Sequence, residues 1–308
     1  MSMRILIVGA GAVGGFFGAR LARAGVDITF LVRPDRAASL AEDGLALIDP
    51  DGARTAVAVS AVTANRLDDR WDVVLLAVKA MSLNAVLDDL TAVLSTRAVI
   101  LPELNGIDHI DLIRSRFCTA VLLGGVAVVA TELCANGDIA QLSPEASIAF
   151  GELDGSLTHR VTQLGAVFAG AGIDTVVSET IVHDMWEKWL FMAAGGAATV
   201  LLGGPAGAIA AVEDGVKLVE LLIDEVVQIQ NAAGHSPRPA AIERVRAALT
   251  RRGSDFTTSM YRDFVAGRAT EVEPILGGLL RRAGTHNVTS PILHAATVRL
   301  RVHEASRA

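Results

Sequence analysis

Cysteine is nearly missing from this chain: only Cys118 and Cys134 occur, and they form no CxxC pair. That excludes a disulfide-stapled scaffold and leads us to expect two buried thiols in a reducing, cytoplasmic setting. There is no HxxxH pair and no Cys/His cluster, so no metal site is implied. Aromatic residues are 4% of the chain, so Ala, Val, Leu and Gly are expected to fill its core. Charge is sparse as well, at 20% against 51% hydrophobic, the reverse of a disordered composition. Lys plus Arg number 27 against 34 Asp plus Glu, a net charge of −7, with no basic run. This excludes the electrostatic footprint of a nucleic-acid binder. Met1-Ser2-Met3-Arg4 leads straight into a strand pattern, so no secretory leader is expected.

One long hydrophobic run is present. Trp189 to Val212 carries no charge and is long enough to span a bilayer. It is interrupted by Gly203, Gly204, Pro205 and Gly207 and followed by Glu213 and Asp214. A buried helix broken near Gly203 is expected, and no membrane partner.

At 308 residues the chain is long enough for two domains. Its first half alternates strand and helix signals: strands at 4–8, 27–32, 71–78 and 98–101, with helices at 13–24, 35–43 and 83–94. A hairpin is expected around Asp49-Pro50-Asp51-Gly52, between strands 46–48 and 55–60. A β-rich stretch from 119 to 153, a helix at 157–171 and a strand at 174–177 complete this half. Continuous apolar strands separated by helices predict a parallel sheet covered on both faces, which binds ligands outside its strands' carboxyl ends. Beyond 178 the periodicity is helical throughout, at 181–202, 216–233, 239–252, 275–283 and 292–303. Gly234, Gly253 and Gly284 stand at expected helix stops. The expected domains are 1–178, α/β, and 179–308, all-α.

Gly9-Ala10-Gly11-Ala12-Val13-Gly14 is a GxGxxG turn between the first strand and the first helix. In this motif the first glycine allows a tight turn, the second lets backbone approach a pyrophosphate, and the third lets helix lie close on strand. The helix N-terminus adds free amides and partial positive charge. The N-terminal half is therefore read as a Rossmann-type dinucleotide-binding domain. An acidic residue ending the second strand would favour NAD; here the strand leads to Arg33, whose guanidinium suits a 2′-phosphate. NADP(H) is the expected cofactor, and Asp35, beyond Pro34, is read as a helix cap.

Four more polar residues stand out. Lys79 follows the third apolar strand, where a lysine can reach phosphate, ribose or the nicotinamide amide. Asn105, in an Asn-Gly turn after the next strand, offers a donor and an acceptor suited to a substrate hydroxyl, although Asn-Gly is equally a plain turn signal. Lys188 is the sole cation in Trp186-Glu-Lys-Trp-Leu-Phe-Met192, where lost hydration would make it a better proton donor; snorkelling from an apolar helix is the alternative. Glu271 could hold Lys188 or accept a hydrogen bond from substrate.

In order along the chain, these pieces resemble the ketopantoate reductase (2-dehydropantoate 2-reductase) family. The likeness rests on Gly9, Gly11 and Gly14, Arg33 to Arg36, Val78-Lys79, Asn105-Gly106, Trp186-Glu187-Lys188, and Ser259-Met260 followed by Glu271. It implies NADPH-dependent reduction of 2-dehydropantoate to pantoate, on the way to pantothenate and coenzyme A. The family's catalytic lysine falls on Lys188 and its supporting glutamate on Glu271. Asn105 would bind substrate as well as face the cofactor, and Ser259 would bind the substrate carboxylate. The implied partner is a small 2-keto acid, with a homodimer as an open alternative to a monomer. The sequence departs from the family where asparagines usually stand four and eight residues after the lysine; here these are Met192 and Gly196. Two other readings stay open: a reductase of a different 2-keto acid, and a catalytically silent NADP-binding protein.

Overall fold

The computed structural model describes residues 3–68, 71–91, 94, 98–118 and 120–307. The chain divides into two compact units, Met1–Leu104 with His109–Val182, and Asn105–Asp108 with His183–Ala308. The return of four residues from the first half to the second unit has no precursor in the sequence pattern.

The first unit begins β1 (Arg4–Val8), α1 (Ala12–Arg23), β2 (Asp27–Leu31), α2 (Pro34–Asp43), β3 (Leu45–Ile48), β4 (Arg54–Val57) and β5 (Ser60–Val62). It continues β6 (Val73–Leu76), α3 (Leu83–Thr91), β7 (Val99–Pro102), α4 (Asp108–Arg116), β8 (Val121–Leu133), β9 (Ile139–Glu152), α5 (His159–Gly170) and β10 (Asp174–Val177). Strands β5, β2, β1, β6, β7 and β8 lie side by side and parallel. The apolar strands β1, β2, β6 and β7 thus form the parallel sheet expected of them, and the β-rich stretch beyond is antiparallel. The long β8 turns from β7 to pair antiparallel with β9, which carries β3 and β10 alongside.

Residue alternation places the cores. Ile5, Ile7, Val73, Leu75, Val99 and Leu101 face one side, with Phe16 and Phe17 of α1 and Leu164 and Phe168 of α5. Leu6, Val8, Val74, Leu76 and Ile100 face the other, with Leu83, Leu87 and Leu90 of α3 and Ile113 of α4. Successive residues of a strand point to opposite faces, so a run apolar at every position must be covered twice. Aliphatic residues do not fill this core alone: Phe16, Phe17, Phe30, Phe150 and Phe168 are all fully buried. Phe150 and Phe168 stand 5.6 Å apart between ring centroids.

The hairpin forms as expected, Leu45 opposite Val57 and Ile48 opposite Arg54, with Gly52 at φ +87°. Its second arm stops at Val57, and the chain restarts as β5 beside β2, so the expected strand 55–60 is two strands. Strand β6 is shorter than expected, because its neighbour β1 ends at Val8 and the ladder closes with the Ala77 amide on the Val8 carbonyl, 3.0 Å. The end of the helix expected at 83–94 includes residues 92 and 93, which lie outside the described residues, as do Met1, Ser2 and Thr119. The thiols depart from expectation: Cys118 is exposed and Cys134 half-buried.

The second unit is helical: α6 (Ile181–Leu202), α7 (Ala206–Ala211), α8 (Gly215–Ala232), α9 (Pro239–Thr250), α10 (Ser259–Val265), a π-helical turn (Glu273–Gly277) running into α11 (Gly278–Thr285), and α12 (Pro291–Ala305). Helix α8 buries Val219, Leu222, Ile223, Val226 and Ile229 and packs against α7, α9, α11 and α12. The apolar run breaks at Gly203, φ +74°, as its glycines foretold. Among the described residues no helix is long and apolar enough to cross a membrane.

Candidate active site

In the first unit, parallel pairing of β2, β1 and β6 sets their carboxyl ends at one sheet edge. The Gly9 amide donates to the Leu31 carbonyl at 3.0 Å, which turns the chain from β1 toward α1. Gly9 has φ +101°, and a Cβ there would lie 2.9 Å from the Ala77 carbonyl oxygen. At Gly14 a Cβ would stand 2.2 Å from the Gly9 oxygen, so helix and turn touch backbone to backbone. Gly11 differs, with no atom within 4 Å of a Cβ position. That open space lies at the N-terminal end of α1, whose first turn carries no acidic residue. The residues fit an anion: free amides, a helix N-terminus and room for close approach.

Arg33 is exposed and is the residue preceding α2, with Pro34 opening the helix. Asp35 sits inside the first turn, where it complements the helix dipole, so its reading as a cap is corrected. Sequence reading gave no role to Arg36. Its guanidinium donates to the Gly137 carbonyl at 2.8 Å and reaches the Ala10 carbonyl at 3.4 Å, tying α2 to the glycine turn. Burial pushes its pKa down, with Asp138 acting the other way. Lys79 lies three residues past β6, exposed, at the start of a short turn at Ala80–Ser82.

In the second unit, the Asn105 carboxamide donates to Glu271 Oε2 at 2.9 Å. This joins two of the residues singled out for substrate, 166 positions apart. Lys188 is half-buried on α6 between two fixed neighbours. Glu187 takes Nε of Arg238 at 2.7 Å and its backbone amide at 2.9 Å. The Trp189 indole donates to the Ile275 carbonyl at 2.7 Å. Burial works to raise the Glu187 pKa, but the hydrogen bonds from Arg238 outweigh it and hold the carboxyl below its ordinary range. Trp186, one turn before Leu190, stacks on His235 with 4.3 Å between centroids. Burial pushes the His235 pKa down, helped by His183 and Arg282.

Ser259 is exposed as the first residue of α10; the cap itself is Thr258, which accepts from the Tyr261 amide at 3.2 Å. Met192 and Gly196 share the Lys188 face of α6 by helical spacing. A Cβ on Gly196 would stand 3.1 Å from Met260 Sδ, so a thioether fills the space beside that position. Sequence reading also passed over Asp108, which binds Arg282 Nη1 at 2.7 Å and pairs with Arg281. Its only local signal was an acid two residues after Gly106.

Comparison with known proteins agrees with this layout. The family described as ketopantoate reductase PanE/ApbA matches residues 5–155, and its C-terminal part matches residues 180–304. The chain is 33% identical over 305 residues to the Bacillus subtilis protein named "Uncharacterized oxidoreductase YkpB", covering 99% of this chain and all of the relative. The crystal structure of 2-dehydropantoate 2-reductase from Methylococcus capsulatus superposes with a TM-score of 0.87 at 26% identity, over 99% of this chain and 98% of that one. A ternary structure of D-mandelate dehydrogenase with NADH and anilino(oxo)acetate shares the fold, with a TM-score of 0.89 at 21% identity over 99% of both chains. With its glycine turn, helical second unit and end-to-end match, the chain belongs to the ketopantoate reductase family of nicotinamide-dinucleotide-dependent oxidoreductases.

Proposed function

We propose that the protein reduces 2-dehydropantoate to pantoate with NADPH, a cytoplasmic step toward pantothenate. The cofactor's pyrophosphate would be held at the Gly9–Gly14 turn, against the open backbone at Gly11 and the N-terminus of α1, its 2′-phosphate by Arg33, and Lys79 would reach its polar groups. When bound, NADPH supplies the hydride. Asn105 and Ser259 would orient the keto acid, Ser259 through the substrate carboxylate. Lys188 would donate a proton or hydrogen bond to the carbonyl oxygen as negative charge grows there. Glu271 would hold the donor set in place. The observation that carries this reading is the Asn105–Glu271 hydrogen bond, 2.9 Å, in the same unit as Lys188.

One observation favours a second substrate within the same chemistry. Met192, Gly196 and Met260 offer no hydrogen bond, and Met260 Sδ fills the space beside Gly196. A wall without polar partners does not reward a hydroxyl on the part of the substrate that faces it, whereas one built around such bonds discriminates strongly. A 2-keto acid with a plain hydrocarbon side chain is the reading that this wall supports.

A panel of 2-keto acids, assayed by loss of NADPH or NADH absorbance, tests both readings. Fast turnover of 2-dehydropantoate with NADPH is expected, and faster turnover of a hydrocarbon keto acid would select the second reading. Lys188→Ala is expected to lower turnover by ~10²–10³-fold, the usual loss for one electrostatic donor, while cofactor affinity stays within twofold. Cofactor binding with no turnover of any keto acid would leave a silent dinucleotide-binding protein.

A further inference from the structure

The four residues Asn105 to Asp108 leave the first unit and return to it, yet their packing belongs to the second. They are fastened at both ends. Asn105 donates to Glu271 at 2.9 Å. Three residues on, Asp108 takes Arg282 Nη1 at 2.7 Å on one carboxylate oxygen and the Arg281 guanidinium on the other. Between them Gly106 has φ +78°, and a Cβ there would lie 2.3 Å from the Pro274 carbonyl oxygen. Backbone therefore lies directly on backbone along the strap. Arg282 is itself fixed: it donates to the Gly278 carbonyl at 3.1 Å and lies over the rings of Trp189, 4.8 Å, and Trp186, 5.3 Å. Those rings flank Lys188 in sequence. Gly278 completes the fit, since a Cβ there would press on Trp189 at 3.0 Å and on Asp108 Oδ2 at 3.2 Å.

We propose that Asp108 is a positioning residue which, through Arg281 and Arg282, locks the Asn105 strap beside Glu271 and against the Trp186 and Trp189 rings that flank Lys188 in sequence. The proposal rests on the reading that Asn105 contacts the keto acid. A carboxylate between two guanidinium forks is directional, so it fixes the strap's register as well as its attachment. Without it, Asn105 keeps one side-chain hydrogen bond to Glu271 on a segment free to slide, and small misplacements of orienting groups are costly in rate. Burial opposes ionisation of Asp108, but the two arginine hydrogen bonds prevail and hold its carboxyl below the ordinary range, so the clamp is charged at neutral pH.

The test uses the full chain and two readouts. Asp108→Asn is expected to raise KM for the keto acid about tenfold and lower kcat less than threefold, with NADPH affinity unchanged. Asp108→Glu is expected to recover most of the loss, and Arg281→Gln to reproduce part of it in a chain that keeps Asp108. Amide hydrogen exchange without substrate is expected to quicken at residues 105–108 in Asp108→Asn and nowhere else in the second unit. An unchanged KM, or unchanged exchange at the strap, overturns the proposal. So does a parallel loss of NADPH binding and thermal stability in both Asp108→Asn and Arg281→Gln, which is the mark of a merely structural ion pair. If the unmodified chain reduces no 2-keto acid, the functional reading fails, and exchange at the strap separately decides whether the clamp exists.

Discussion

Residues in the glycine turn do different work despite their shared type, and substitution separates their roles. At Gly14 an added methyl would stand 2.2 Å from the Gly9 carbonyl oxygen and 2.8 Å from Ala77 Cβ, so the helix must move off the strand. Overpacking of this kind costs about 1–3 kcal/mol or more, and Gly14→Ala is expected to lower the melting temperature of the cofactor-free protein. At Gly11 the same methyl meets nothing within 4 Å. Gly11→Ala is therefore expected to leave that melting temperature within a degree or two while weakening NADPH binding at least tenfold in a titration. Equal loss of affinity and stability in both variants would show that Gly11 serves the fold and not the ligand. The sequence motif named all three positions but could not rank them, because the ranking depends on Ala77, which arrives from β6.

Elements tell a similar story of local signals read well and tertiary ones missed. The apolar strands β1, β6 and β7 were legible because burial on both faces leaves no polar position to break the run. Helix α4 was missed because it is short and buries only two aliphatic side chains, Ile110 and Ile113, with His109 buried beside them and Leu112 half-buried. Helix α10 is seven residues with one buried, Met260, too short for periodicity to register. Lys188 stood out in the sequence by its aromatic neighbours, and the structure shows it half-buried on α6; the Asn105–Glu271 bond and the pairing of Asp108 with Arg281 and Arg282 had no such signal, because no spacing rule links positions so far apart. The α6–α9 junction gives a prediction at this scale. Glu187 is 8% exposed and takes three hydrogen bonds from Arg238. Arg238→Ala removes both side-chain donors from a charged group, a loss of about 1–3 kcal/mol per buried charged acceptor, discounted toward the lower end because Arg238 is half exposed. A fall of several degrees in melting temperature is expected, with turnover reduced because Lys188 is the next residue on the same turn. Full stability in that variant would show that α6 is held without the Arg238–Glu187 pair.

Across the whole molecule, ionisable groups set how the fold responds to acid, and their signs can be worked out. Asp138, Glu273, Asp108, Glu187 and Glu304 all have pKa values held below their ordinary range. For Asp138 and Glu273 the leading cause is a hydrogen-bonded arginine; for the other three, burial works against the shift and hydrogen-bonded partners overcome it. Each such acid stabilises the fold fully above its unfolded pKa and loses that contribution as pH falls through the folded value. Their window opens near pH 4.5 and extends downward. His235 acts earlier. Burial against Trp186 depresses its pKa from 6.5, so the unfolded chain takes up the proton first. Its contribution is complete above pH 6.5 and declines as pH falls from there. Melting temperature is therefore expected to fall in two stages, shallowly below pH 6.5 and steeply below pH 4.5. His235→Phe keeps a ring for stacking on Trp186 and removes the proton site, so it should flatten the first stage and leave the second intact. A shallow stage that persists unchanged in His235→Phe would assign it to another group and remove His235 from the acid response.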